Sequence, residues 1–237
     1  MTADPILYRW PSAARFGRVV PKTKFYEHAR VSTAGRERFV AEVQRITWSY
    51  KLADATIHLR GNDEVPEIQI FEIDAKDAEV SDTVLAAIDK AVPLPIVFEV
   101  NRTASEGVET RMVAAHKRLR GAKMRVGDYF GTPWQAASSP RVPLPQALDL
   151  AGLYAGLLAP LLPVARVSGE ALSQTIERVE QAAKLEREIT VLEKRLRAEQ
   201  QLNRKVELRR QIQGRSAQLA VLIDPEPSTT KDTVWTS

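Results

Sequence analysis

Three polar side chains near the end of one predicted strand have the types and spacing that could do chemistry. Glu72, Asp74 and Lys76 occupy alternate positions at the end of the stretch 67–73 and just beyond it. Two carboxylates placed in this way could hold a divalent cation such as Mg²⁺, while the lysine orients the water that attacks a phosphodiester. These residues would then form the centre of a metal-dependent nuclease of the restriction-endonuclease type.

Other features of the chain do not strengthen this catalytic hypothesis. An acid-x-lysine triplet occurs by chance in many proteins, and the upstream acid could be either Asp63 or Glu64. The histidines His28, His58 and His116 are widely separated, so a three-histidine metal site is not expected. The sequence contains no cysteine, which excludes thiol nucleophiles and zinc ribbons. We therefore expect no catalytic residue and no cofactor, and keep the Mg²⁺-dependent nuclease as an alternative.

Basic residues concentrate in two segments that could bind phosphate groups. From Lys194 to Arg215 the chain has eight basic and two acidic residues, and the basic segment 116–125 falls in a predicted hairpin turn. Such side chains can follow a phosphate backbone with an affinity that falls as salt rises, but both segments are also typical of solvated surface. The candidate nucleic-acid-binding residues are Lys117, Arg118, Arg120, Lys123, Arg125, Arg204, Lys205, Arg209 and Arg210.

The overall composition is typical of a globular protein. The 237 residues include 34 lysines and arginines against 30 aspartates and glutamates, and 44% of the residues are hydrophobic. The most apolar segment, 148–162, is shorter than the roughly 20 residues of a membrane span and contains a proline. It therefore predicts a buried helix, and we expect a cytoplasmic protein with no membrane partner.

The sequence patterns of the strands and helices that must position these residues predict an α/β domain over 1–135. We expect it to contain a small mixed sheet with flanking helices. Ser32 or Thr33 could cap a first helix that ends around Asp54, and a strand–helix–strand unit follows it. The predicted strands are 56–59, 67–73, 96–100, 108–115 and 126–131, and the second predicted helix spans 81–92. This order indicates a βαβ crossover within the sheet.

The last quarter of the chain has the pattern of a long coiled-coil helix. Its apolar residues recur at alternating steps of four and three, and a polar interruption follows that could fix register and partner. A continuous helix over 168–223 would be about 80 Å long at ~1.5 Å per residue, so we expect its apolar stripe to be covered by itself or another chain. The predicted interface residues are Leu185, Ile189, Leu192, Leu196, Asn203 and Val206.

Proline-containing segments mark the predicted divisions of the chain. Three prolines between 136 and 145 indicate a linker that leads into the apolar helix. We therefore divide the chain into the α/β domain, a linker with the apolar helix over 136–166, a coiled-coil helix over 167–223, and a disordered tail over 224–237.

Several strings in the chain resemble one family. They are PKTKFYEHA (21–29), ITWSYKLA (46–53), EIQIFEI (67–73), AIDKAVPLPIVFEV (87–100) and EQQLNRKVEL (199–208). In this order, and with the closing helix, they resemble the bacterial family labelled domain of unknown function 4391 over nearly the whole chain. The family has no assigned activity. The resemblance implies that members are encoded beside helicase and DNA methyltransferase genes, in restriction–modification or phage-defence clusters.

The family motifs also contain polar residues that could form a site. We expect Lys22, Lys24, Tyr26 and Glu27 to lie in a loop. Asp89 and Lys90 are expected where a helix meets Pro93. A buried site would require pairing, such as Lys24 with Glu27 or Asp89 with a cation, and structural salt bridges are the alternative. The motif residues are Lys22, Lys24, Tyr26, Glu27, Asp89 and Lys90.

These observations favour a non-catalytic accessory subunit of a DNA-directed defence or restriction–modification-like complex. The coiled coil would join the protein to itself, to a helicase or to a DNA methyltransferase subunit, and the basic segments would contact DNA phosphates. The alternatives are the metal-dependent nuclease and a purely structural dimer that binds no nucleic acid.

Overall fold

The computed structural model describes residues 6–29, 31–120, 123–164, 167 and 169–225, without the side chains of 118–120, 123 and 124. The chain divides into two compact units, Met1–Leu162 and Pro163–Ser237. In the described part of the chain, no helix combines the length and apolar composition needed to cross a bilayer.

The first unit is built from seven strands and five helices among its described residues. The strands are β1 (Arg15–Val19), β2 (Val43–Leu52), β3 (Ile68–Ala75), β4 (Ile96–Ala104), β5 (Gly107–Arg120), β6 (Lys123–Gly131) and β7 (Gln135–Ala136). The helices are α1 (Lys22–Ala29), α2 (Thr33–Glu42), α3 (Asp54–Ile57), α4 (Asp82–Ala91) and α5 (Leu150–Leu158), with short 3₁₀ turns at Ser12–Ala14 and Ala159–Leu161.

All strands belong to one mixed sheet, as the sequence predicts. Their order is β1-β2-β3-β4-β5-β6, with β7 paired to β5. The pair β3–β4 is parallel and the other pairs are antiparallel. Because α4 connects the two parallel strands, the predicted βαβ unit is confirmed.

One face of this sheet carries the main hydrophobic core. Phe71 and Ile73 of β3 and Phe98 of β4 are fully buried there, together with Phe39 of α2 and Leu85 of α4. Since successive strand residues point to opposite faces, the intervening residues of β3 and β4 lie on the other face. That second face holds the polar cluster described below.

Two local predictions in this unit are wrong. The helix predicted from Ser32 to Asp54 ends at Glu42, because Val43–Leu52 forms β2 and pairs along its length with β3. Ser32 does cap this helix, accepting a hydrogen bond from the Gly35 backbone amide at 3.2 Å. The predicted strand 56–59 overlaps helix α3 instead, where the Thr56 hydroxyl interacts with the preceding backbone.

The apolar segment forms the buried helix that its composition predicts. Helix α5 begins at Leu150, and the Asp149 side chain caps it by accepting from the Gly152 amide at 2.7 Å. Leu150, Leu153 and Leu157 of this helix are fully buried. Burial of these side chains within the first unit explains why this segment is so apolar although it is shorter than a membrane span.

The second unit contains two helices instead of the single long one expected. Helix α6 spans Leu172–Ala198 and α7 spans Leu202–Ile223. The Arg178 guanidinium donates to the Leu222 carbonyl at 2.6 Å, and Arg215 pairs with Glu188 at 2.7 Å. The start of α6 therefore lies beside the end of α7, and the two form an antiparallel hairpin.

The helix break has a local cause in the sequence. The carboxylate of Glu199 accepts hydrogen bonds from the backbone amides of Gln200 and Gln201, both at 2.9 Å. Glu199 itself is extended, with ψ 137°, so the chain reverses where the predicted seam becomes polar. Of the predicted disordered tail, only Asp224 and Pro225 lie within the described residues.

The hairpin changes what the apolar stripe implies. Leu192 is buried, and Leu185, Ile189 and Leu196 are partly buried on the same face of α6 as Arg178. A groove between the helices is lined by Leu185 together with Leu222 of α7. The chain therefore covers this seam with its own second helix, and the seam does not require another protein.

Candidate functional site

Polar side chains of the parallel strands gather on the second face of the sheet. Glu72 lies opposite Glu99, and Asp74 lies opposite Asn101, in the register of β3 and β4. In α/β sheets, ligands bind at the carboxyl ends of parallel strands, and Glu72 and Asp74 lie in the C-terminal half of β3, beside Glu99 and Asn101 near the middle of β4. This cluster is therefore the first candidate site to test against its contacts.

Glu99 is fully occupied by partners from the rest of the unit. Its side chain is 2% exposed, and the Arg141 guanidinium contacts Oε1 at 2.7 Å and Oε2 at 3.0 Å. The Trp10 indole donates to Oε1 at 2.6 Å. This two-pronged ion pair fastens the N-terminal segment and the proline-containing loop to β4, and hydrogen bonding to Glu99 raises the pKa of Arg141.

Asp74 and Lys76 are likewise engaged by neighbouring groups. Arg45 contacts Asp74 Oδ2 through Nε at 2.9 Å and Nη2 at 2.8 Å, and the Asn101 amide donates to Oδ1 at 3.1 Å. Lys76 Nζ donates to the Val40 carbonyl of α2 at 2.6 Å. Within the described ranges, no group of three or more His, Cys, Asp or Glu residues is arranged to hold a metal ion.

Glu72 differs from its neighbours because its charge is poorly compensated. Burial and the nearby Glu99 carboxylate raise the pKa of Glu72, and a hydrogen bond from Ser49 opposes part of this change. Arg141 is close enough to contribute, but it is already bound to Glu99. The fold therefore tolerates an electrostatic cost at this position.

We expect Glu72→Gln to stabilise the protein at neutral pH. Because the folded state raises the pKa of Glu72, the ionised group costs stability above that pKa, and the cost disappears as pH falls and the group is protonated. The thermal midpoint of the variant should exceed that of the wild type at pH 7, and the difference should vanish near about pH 4.

The matched control is Glu180→Gln, the same chemical change at an exposed position of α6. If Glu72→Gln were instead to lower the midpoint at pH 7 more than this control, Glu72 would be a stabilising carboxylate. That outcome would contradict the electrostatic assignment.

A second polar cluster, Asp89–Lys117–Tyr129, lies inside the first unit. Lys117 Nζ contacts Asp89 Oδ1 at 2.6 Å, and these side chains are only 1% and 2% exposed. The ammonium also donates to the carbonyls of Val92 at 2.8 Å and Leu94 at 2.6 Å, just beyond α4. The Tyr129 hydroxyl donates to the other Asp89 oxygen.

This cluster changes the interpretation of two sequence predictions. The pairing of Asp89 with a cation is confirmed, but the prediction that Lys117 projects from a solvent-facing turn is wrong. Burial lowers the pKa of Lys117, while the Asp89 charge opposes that change. Burial raises the pKa of Tyr129, and the Asp89 charge raises it further. A cation beside the last carbonyls of a helix is favourable, so Lys117 ties β5 to the end of α4.

The other family-motif residues do not converge on one site. Lys22, Lys24, Tyr26 and Glu27 lie in α1, not in the loop that the sequence predicted, and Lys90 is exposed in the last turn of α4. Lys22 donates to the Val43 carbonyl, and Lys24 lies 3.9 Å from Glu27 on the surface. The Tyr26 ring packs edge-on against Phe39, at 5.3 Å between centroids. These contacts support a structural role for α1.

The predicted basic turn is a two-stranded β-ribbon. The β4–β5 pairing ends at Ala114, whereas β5 continues beside β6 as far as Arg120, which pairs with Lys123. A bulge separates the pairs of Ala115 and Lys117. Arg125 is exposed. The candidate residues Arg118, Arg120 and Lys123 are placed here by backbone register only.

The remaining basic candidates lie at the turn of the α6–α7 hairpin, which we call the hairpin tip (194–210). Its basic residues are exposed except for Lys205, which is partly exposed; the only ion pair they make with described residues is Arg204–Glu199, at 3.9 Å. Asn203 and Val206 are exposed and lie outside the α6 seam. The seven basic residues of the tip are Lys194, Arg195, Arg197, Arg204, Lys205, Arg209 and Arg210, against Glu199 and Glu207.

Comparison with known proteins places the chain in a family. The family model described as "Domain of unknown function (DUF4391)" matches residues 9–219. The chain belongs to this family. The resemblance inferred from the sequence strings is therefore confirmed over most of the length. No curated protein and no solved structure matches the chain.

In this DUF4391 protein, sequence patterns missed the contacts that matter most for the first unit. Glu99 interrupts the apolar strand IVFEV, and Lys117 follows the buried residues Val113 and Ala115. A charged residue within a buried strand must be paired, which is the signal that could have identified both. Their partners Arg141 and Asp89 are distant in sequence, so no spacing rule connects them.

Proposed function

We propose that this protein is a non-catalytic accessory subunit of a DNA-directed complex, such as a defence or restriction–modification system. In this proposal the hairpin tip contacts the phosphate backbone of DNA. A helicase or a DNA methyltransferase is the proposed partner, and the protein itself remains an alternative partner.

The observation that carries this proposal is the charge of the hairpin tip. Seven basic residues lie there against two acidic ones, and only Arg204 is ion-paired, weakly, with another described residue. Basic residues at this density repel one another unless anions lie nearby. When lysine and arginine side chains neutralise the phosphates of DNA, the counterions condensed on those phosphates are released, which favours binding. A nucleic acid backbone fits this requirement.

The accessory role is supported by the outer face of α7. Leu202 and Val206 of α7 are 72% and 57% exposed, and they lie one turn apart on the same face of the helix. Exposed apolar residues aligned on one helix face are typical of a partner interface. We propose that a coiled-coil contact of this face with the partner enzyme replaces the long seam expected from the sequence.

The non-catalytic assignment rests on the engagement of the polar cluster. The side chains of Asp74, Lys76 and Glu99 are all hydrogen-bonded to other residues of the same unit. A metal-dependent nuclease built on Glu72, Asp74 and Lys76 would first have to break the Arg45–Asp74 pair. The hairpin tip requires no such rearrangement.

The test is DNA binding measured by fluorescence anisotropy across a range of salt. We expect log Kd to vary steeply with log salt for the wild type, and Arg204→Gln/Arg209→Gln to reduce the slope by about 2, since each lost phosphate contact removes ~0.9. The control Arg187→Gln changes an exposed arginine of α6 outside the tip. It should leave the slope unchanged.

Three outcomes would overturn parts of the proposal. A flat salt dependence in the wild type would remove the phosphate role. Stable dimers in light scattering together with no DNA binding would favour the purely structural dimer. Mg²⁺-dependent cleavage of DNA that Asp74→Ala abolishes would establish the nuclease alternative.

A further inference from the structure

We infer that the β5–β6 ribbon enters the major groove of duplex DNA. We call it the basic ribbon and define it by residues 116–120 and 123–126. This inference deepens the proposed function and rests on it, because it adds a second contact and names the nucleic acid as double-stranded DNA. It draws on backbone register, on the anchoring of the ribbon base and on charge.

The register of the ribbon brings like charges together. Arg118 pairs with Arg125 and Arg120 pairs with Lys123. Because these are alternate positions paired across two strands, all four lie on one face of the ribbon. Like charges directly opposite each other destabilise a strand pair. Two such pairs in succession indicate that an anionic partner completes this surface.

The base of the ribbon is held firmly by the first unit. Lys117 binds Asp89 and the carbonyls that follow α4, and the Tyr154 hydroxyl donates to the Ala115 carbonyl at 2.9 Å. The bulge between Ala115 and Lys117 reorients the strands at this point. Lys117 alternates with Arg118 and Arg120, so the anchor occupies one face and the basic positions occupy the other.

The reach and width of the ribbon suit a DNA groove. From Ala115 to Arg120 the strand extends roughly 17 Å at ~3.3 Å per residue. The major groove of B-DNA is about 12 Å wide and admits a two-stranded ribbon, whereas the minor groove is only about 6 Å wide. Insertion would place phosphates on both sides of the four basic positions.

Other nucleic acids fit the ribbon less well. Proteins that bind single strands usually present aromatic side chains on which bases stack, and segments 116–120 and 123–126 contain no phenylalanine, tyrosine or tryptophan. The major groove of duplex RNA is deep and narrow and excludes side chains. The composition of the ribbon therefore favours duplex DNA.

The test compares four probes by fluorescence anisotropy: a 20-base-pair DNA duplex, one of its single strands, an RNA duplex of the same sequence, and a DNA duplex whose cytosines carry glucosylated hydroxymethyl groups that fill the major groove. We expect Arg118→Gln/Arg120→Gln to weaken binding of the unmodified duplex about tenfold. Binding of the single strand should change less than twofold. Glucosylation should weaken the wild type about tenfold and leave the variant unaffected, since both remove the same contact.

Controls separate this inference from the proposed function. Arg187→Gln is the matched control, and Arg125→Gln, at an exposed ribbon position, replaces the double variant if that variant misfolds. Loss of binding in Arg204→Gln/Arg209→Gln with none in the ribbon variants would overturn the ribbon and leave the proposed function standing. Equal loss on single-stranded and duplex DNA, or on RNA, would overturn groove insertion. Absence of DNA binding by the wild type, or unchanged binding after glucosylation, would also overturn it.

Discussion

Lys117→Met should lower the free energy of unfolding by about 3–5 kcal/mol, because it leaves Asp89 buried without its cation. Both side chains are almost completely buried, at 1% and 2% exposure. The carbonyls of Val92 and Leu94 would also lose their donor. Urea denaturation followed by circular dichroism measures the effect.

The companion variants show whether the loss comes from the unpaired charge. Lys90→Met removes an exposed lysine one residue from Asp89 and should cost less than about 1 kcal/mol. In Lys117→Met/Asp89→Asn the buried charge is absent, so a substantial part of the lost stability should return. A loss below about 1 kcal/mol in Lys117→Met would show that the buried pair contributes little.

Arg141→Met should have a comparable effect through a different ion pair. The substitution removes two hydrogen bonds from Glu99, which is 2% exposed, and leaves Trp10 as its donor. Breaking a buried pair by removal of one partner costs about 3–5 kcal/mol. Because Arg141 also donates to the Tyr8 carbonyl, the N-terminal segment should become more accessible to proteolysis.

A double-mutant cycle tests this second prediction. Arg141→Met, Glu99→Gln and the double variant are compared by urea denaturation, with Arg60→Met as the control at an exposed position. We expect a coupling energy of about 1–3 kcal/mol, in the range for residues in direct contact. Simple additivity of the two single variants would show that the contact does not stabilise the fold.

The two ion pairs clarify what the charged residues of this protein do. Both connect elements that are distant in sequence. Lys117 belongs to the basic segment 116–125, and Glu99 lies opposite Glu72 in the polar cluster of β3 and β4. The proposed nucleic-acid contacts use the exposed or partly exposed basic residues of the hairpin tip, among which Arg204 alone forms an ion pair with another described residue, together with the basic positions of the ribbon. Burial and pairing therefore separate structural charges from the charges available to a ligand.

Local sequence signals were sufficient for several elements. The alternation of polar and apolar residues in EIQIFEI predicts β3. The prolines after Val92 predict the end of α4. Ser32, one of the two caps that the sequence offers beside Thr33, caps α2 because its side chain accepts from a backbone amide of the next turn. The seam from Leu185 to Leu196 was recognised from helical spacing, which depends only on neighbours along the chain.

Tertiary structure decided the features whose partners lie far away in sequence. Segment 43–52 has apolar positions compatible with a helix, but pairing with β3 makes it a strand. The seam is covered by α7 because the chain turns at Glu199–Gln201, and the spacing of leucines carries no information about that turn. Lys117 and Glu99 each became structural only when folding brought Asp89 and Arg141 into contact with them. Periodicity records which face of an element is buried, whereas the identity of the group that covers it depends on long-range packing and the compensation of buried charge.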